Sequence, residues 1–218
     1  MTKEFKVFKN KWLGIAAVST VLLSAGCAVN QPAPSVRWIA QHSTDEFTDE
    51  ATCRVTVGSR YTARNVYTYT GSLYPFVESK EGELRVGVMS GGRVKIPVGE
   101  VQLRIDQNPA WNIAVHETPA DLVPSQDFPG PYQAQLSDEQ REMVASTYRA
   151  TMEHTAQAMS PYTATTGEKA EAILRQMLDG DKLIYRTVGL NQPGSGTGEY
   201  DLDASLNAAL ARCGISLP

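Results

Sequence analysis

The sequence predicts an α+β fold, a single domain in which an antiparallel sheet precedes two to three packed helices. Three observations carry this reading. Apolar residues alternate with polar ones through the first half of the body, apolar spacing becomes helical from Ser137 onward, and the strand-like "KLIYRTV" returns between two helical stretches.

Val36, Trp38 and Ala40 fall at every second position, as do Cys53, Val55 and Val57, and both runs read as half-buried strands. In "ELRVGVMSGGRVKIPVGEVQLRID" three sets share one face each: Leu84, Val86 and Val88; Val94, Ile96 and Val98; Val101, Leu103 and Ile105. Ser90-Gly91-Gly92 and Gly99 supply turn residues between them, so the segment reads as an antiparallel meander.

A capping box opens the first helix, with Ser137 followed three residues later by Gln140. Val144, Tyr148, Met152, Thr155 and Met159 then recur on one face. Thr165 and Glu168 suggest a second box, ahead of a helix carrying Ala172, Ile173 and Met177 and stopping at Gly180. After "KLIYRTV" and a glycine-rich hairpin, "YDLDASLNAALARC" reads as a short strand entering a terminal helix with Leu206 and Leu210 inward.

The amino terminus has a different logic. Lys3, Lys6, Lys9 and Lys11 precede an uncharged apolar run from Trp12 to Gly26. That run falls short of the roughly 20 residues a hydrocarbon core requires. A cationic stretch, an apolar stretch and small residues form the layout of a secretory signal. "LLSAGC", Leu22 to Cys27, resembles the lipobox of bacterial lipoprotein precursors, with Ser24 where leucine is favoured. The resemblance implies a diacylglyceryl group on the Cys27 thiol, cleavage before it and acylation of the new amino terminus. Ala28, rather than aspartate, after the cysteine implies delivery to the outer membrane with the domain facing the periplasm. An ordinary signal peptidase cutting the same bond is the alternative. The expected organisation is therefore a signal over residues 1–26, a lipidated Cys27 with a proline-containing tether over 27–35, and one domain over 36–218.

Cleavage before Cys27 leaves 192 of the 218 residues, enough for one sizeable core. Four of the 20 Lys+Arg and one of the 24 Asp+Glu lie in the signal, so the remainder carries a net charge of −7. That balance disfavours nucleic acid as a partner and leaves the N-terminal lipid as the membrane contact. The chain has 3 cysteines. With Cys27 lipidated, Cys53 and Cys213 remain as a pair, read as a disulfide across the fold, with two buried thiols as the alternative.

Catalytic, metal and cofactor motifs are weak. His116 in "HET" lacks a second histidine at helical spacing, His42 and His154 stand alone, and "DEFTDE" (Asp45 to Glu50) has neither the glycine nor the terminal acid of a calcium loop. "GSGTG", Gly194 to Gly198, departs from dinucleotide-loop spacing and reads as a hairpin. No catalytic residue, metal or cofactor is expected. One feature suits recognition: Tyr61, Tyr67, Tyr69 and Tyr74, close to Phe76 and interleaved with Thr, Ser and Asn. Strand packing is the competing use of these tyrosines. The expected role is non-enzymatic binding or accessory work in the cell envelope with an envelope protein as partner, the alternative being a hydrolase acting on cell wall or peptide.

Overall fold

The structure is a computed structural model that describes residues 37–58, 60–62, 65–121, 136–188 and 196–217. Val36, the apolar run from Trp12 and the Cys27 motif lie outside the described residues. Residues Ser35–Pro218 form one compact unit. It is an α+β domain built on two antiparallel sheets, with three helices among the described residues.

The first sheet has the order β1-β2-β5-β6-β9, from β1 (Ile39–Thr44), β2 (Ala51–Thr56), β5 (Leu73–Lys80), β6 (Glu83–Ser90) and β9 (Tyr162–Thr165). The second has the order β11-β10-β7-β8, from β7 (Glu100–Ile105), β8 (Trp111–Ile113), β10 (Lys182–Val188) and β11 (Thr197–Asp201). A small ladder joins β3 (Arg60–Tyr61) and β4 (Val66–Tyr67).

The expected meander exists, but its members are β1, β2, β5 and β6 rather than the run from Leu84 to Ile105. The β5–β6 hairpin closes through Glu81 and Gly82, both at positive φ (51° and 82°), as a two-residue turn matched to strand twist requires. The chain does not turn back at Ser90-Gly91-Gly92, because β6 pairs with β5 and β9 while β7 pairs with β10 and β8. Residues 94–98 form no strand: Val94 is 66 % and Ile96 38 % exposed. Their alternation reflects a connection folded against Ser90, whose hydroxyl accepts from the Ile96 amide and whose carbonyl accepts from Lys95 Nζ. These bonds occupy groups that a neighbouring strand would otherwise use.

Helix α2 (Gly167–Asp179) buries Ala170, Ile173, Leu174 and Met177, the i, i+3, i+4, i+7 stripe of an amphipathic helix. Each of the three larger side chains contributes about 1.5–3 kcal/mol on burial. The helix contacts β6 and is tied to β8 as well: Trp111 Nε1 donates to Gln176 Oε1 at 3.0 Å, and Lys169 Nζ donates to the Asn112 carbonyl. Its N-cap is Thr166 rather than Thr165. Thr165 belongs to β9, and its hydroxyl donates to Glu117 Oε2, so it cannot serve as the cap.

Helix α1 (Asp138–Ala158) starts with the expected reciprocal box between Ser137 and Gln140, yet none of its residues is buried. Val144, Tyr148 and Met152 are half-covered, and Thr155 and Met159 are exposed. Among the described elements it packs chiefly against a 3-10 turn, Val115–Glu117. Helical periodicity was sound here, but inward packing did not follow from it.

Helix α3 (Ala204–Arg212) lays Leu206, Ala209 and Leu210 against β1 and β2 and ends on Cys213. Cys53 and Cys213 form a disulfide with Cα atoms 5.4 Å apart. The described chain also begins at this corner. The Trp38 amide donates to Ser205 Oγ, and its indole N–H donates to the Asp201 carbonyl, both at 2.9 Å.

Candidate functional site: a tyrosine cleft between the sheets

The first residue of β5, Leu73, faces the second sheet, and its carbonyl receives two phenols. Tyr185 Oη on β10 donates to it at 2.5 Å and Tyr200 Oη on β11 at 3.4 Å. The two rings stack at 6.2 Å with planes 13° apart. Their placement depends on Gly198, which pairs with Tyr185 across the β10–β11 ladder. A Cβ there would stand 2.4 Å from the Tyr185 ring, so only glycine lets the ring lie flat over the strand.

These rings form one wall of a cleft of about 670 Å3. Leu73, Tyr74, Ile96, Pro97, Thr187 and Gly196 also line it. Tyr74 is 4 % exposed, and its hydroxyl accepts from the Tyr69 amide at 3.1 Å. Tyr67 and Tyr69 are each 57 % exposed, and their backbones lie beside the cleft-lining Gly58 and Tyr74. The 68–70 strip is held close to β6: a Cβ on Gly91 would meet the Tyr69 carbonyl at 2.6 Å, and one on Gly92, at φ 73°, would meet the Thr70 backbone at 2.5 Å. The expected tyrosine cluster is therefore divided. Tyr67 and Tyr69 present themselves to solvent, Tyr74 lines the cleft, Phe76 is buried, and Tyr61 pairs with Val66 while its side chain lies outside what is described.

The electrostatics of the cleft are neutral. Burial, followed by the neighbouring phenols, pushes the Tyr185 hydroxyl far above its usual range, and burial raises Tyr200 to about 12. Both remain protonated donors near neutral pH. No histidine or carboxylate lines the cleft among the described residues. Beyond Tyr185 and Thr197 the surface continues onto the outer face of the second sheet. There Arg104, Arg186, Gln102 and Glu199 border a shallow depression of about 610 Å3, and Arg186 Nε donates to Gln102 Oε1.

The other sequence candidates have local partners. Asp45 Oδ1 accepts from the Phe47 and Thr48 amides, which holds its carboxyl below the usual range, and Glu50 pairs with Lys80. Glu117, next to His116, accepts from the Ala114 amide, Thr165 and Lys169. Burial opposes its ionisation, but these donors outweigh it and its pKa is lowered. His154 is exposed on α1, and His42 sits beside Cys53. Sequence reasoning missed Tyr185 and Tyr200. The available signal was a tyrosine in "KLIYRTV" followed by a run of glycines, legible only once the hairpin register is known. No family model matches the chain, and no curated protein or solved structure matches it either.

Proposed function

We propose that this chain is an outer-membrane lipoprotein, held through Cys27, whose periplasmic domain binds a protein or other envelope component in the tyrosine cleft and performs no chemistry on it. The observation that carries the binding reading is the cleft itself. Two neutral, stacked phenols supply apolar area and acceptor lone pairs, exposed Tyr67 and Tyr69 lie nearby, and Arg104 and Arg186 on the adjoining face supply hydrogen-bond donors, a composition suited to recognition. Hydrolysis of cell wall or peptide needs an acid, a base or a nucleophile with an activator, and the lining residues described offer none of these constellations. The lipobox supports the anchor, and the Trp38–Ser205 contact brings the domain's entry beside α3.

Two measurements test the two halves. Fatty-acid labelling with membrane fractionation should show label on the wild type and none on Cys27→Ala, with the variant lost from the membrane fraction. An unlabelled wild type sinks the anchor. A photo-crosslinking residue placed at Tyr69 should trap a discrete adduct in intact cells, whereas the same residue at exposed Met143 on α1 should not. Indistinguishable adducts from both positions would remove the cleft as the binding surface.

A further inference from the structure

Away from the cleft, the disulfide has an unusual neighbour. His42 on β1 stands opposite Cys53 on β2 in the ladder, and its Nε2 is 3.5 Å from Cys53 Sγ. The two imidazole-proximal sulfurs and Nε2 all lie within 4.8 Å of one another. His42 is exposed, and β1 is an edge strand, so this corner opens to solvent. The two sulfurs differ in surroundings. Cys53 is 8 % exposed, while Cys213 is half-buried at the C-cap of α3.

We propose that Cys53, Cys213 and His42 form a thiol–disulfide exchange site with a fixed direction, taking a dithiol as co-reactant. Exchange proceeds by attack of a thiolate on one sulfur and departure of the other as a thiolate, and it favours the better-stabilised leaving group. Cys213 lies at the negative end of a nine-residue helix, which disfavours a thiolate there. Cys53 lies beside a ring nitrogen that can donate to it, which favours a thiolate. Access and leaving-group stability therefore agree. The incoming thiolate bonds to Cys213 Sγ, the Cys53–Cys213 bond breaks, and its electron pair stays on Cys53 Sγ, hydrogen-bonded by His42. The second thiolate of the same dithiol then attacks its own sulfur in the mixed disulfide and releases the Cys213 thiolate. The dithiol leaves as a disulfide, the protein pair is reduced by two electrons, and the two protein sulfurs take up protons from water. Release of Cys213 frees the end of α3 from β2, at the corner where the chain enters the domain.

The test uses the oxidised full chain. A monothiol, glutathione, is added briefly, free thiols are capped with iodoacetamide, and the peptides are mapped by mass spectrometry. Glutathione on Cys213 with a capped Cys53 is expected. Glutathione mainly on Cys53, an even distribution, or a pair that resists thiols until unfolded overturns the proposal. Reduction of His42→Ala by dithiothreitol should be slower by about tenfold, the loss of one hydrogen bond to a charged group. The two proteins should react alike in denaturant, and their oxidised forms should share one unfolding temperature. An equal rate for folded wild type and His42→Ala also overturns it.

Discussion

Arg85 and Asp121 are joined by two parallel hydrogen bonds, Nη1 to Oδ2 at 2.7 Å and Nη2 to Oδ1 at 3.0 Å. Tyr162 Oη adds a third donor to Asp121 at 2.5 Å, and Lys80 lies 3.3 Å from Oδ1. Arg85, 5 % exposed, also approaches Glu78, itself 2 % exposed and paired with Arg54. This network crosses β2, β5, β6 and β9 and fixes the segment that leaves the 3-10 turn.

The Asp121 arrangement gives a pH dependence with a definite sign. Burial alone would raise Asp121, but Arg85, Tyr162 and Lys80 outweigh it and lower the carboxyl from 3.8 to about 2. A folded-state pKa below the unfolded one means that the stabilisation is present above the unfolded value and is lost as the pH falls through the folded value. Denaturant unfolding from about pH 5 to about pH 2 should therefore show a shallower acid limb for Asp121→Asn than for wild type. Identical limbs would mean that Asp121 gains nothing from its partners.

The disulfide spans a sequence separation of 160 residues. Cys53→Ala with Cys213→Ala should cost about 2–5 kcal/mol, chiefly by freeing the unfolded chain. Chemical denaturation of the oxidised wild type and the double variant gives the difference. Reductant should lower the unfolding temperature of the wild type and leave the variant unmoved.

Gly198→Val should displace the Tyr185 ring, since even the first added carbon would stand 2.4 Å from it. Overpacking of this kind costs about 1–3 kcal/mol. Tyr185→Ala removes the obstacle, so the double variant should be less destabilised than the sum of the two single ones. Strict additivity would mean that Gly198 is not there to accommodate Tyr185.

Helix α1 should open before the rest of the fold. It buries none of its residues, and two of its ties to the domain are Gln157 Nε2 hydrogen bonds to the His116 and Thr118 carbonyls, each 3.1 Å. Amide exchange followed by mass spectrometry should find α1 less protected than α2, whose inner stripe is buried. Ser137→Ala, which removes the cap, should speed exchange in the first turn by an amount corresponding to about 1 kcal/mol. Equal protection of α1 and α2 would show that α1 is packed more firmly than its exposure implies.

What the sequence determined by itself was local. The α+β class followed from periods of two and of 3.6, the start of α1 from the Ser137–Gln140 box, the inward face of α2 from Ile173 and Met177, and the Cys53–Cys213 pairing from a cysteine count that set Cys27 aside on the expectation of its lipidation. Each rests on interactions within one element or on a count. What the tertiary structure decided was partnership. Val94 and Ile96 have strand-like spacing, but the Ile96 amide is taken by the Ser90 hydroxyl, and β6 and β7 find their partners in different sheets. Tyr185 and Tyr200 became the wall of the cleft because their hydroxyls meet Leu73, 112 and 127 residues away in the chain. Periodicity records which face of an element is apolar, whereas the identity of the surface that covers that face depends on contacts between residues remote in sequence, and no local pattern encodes them.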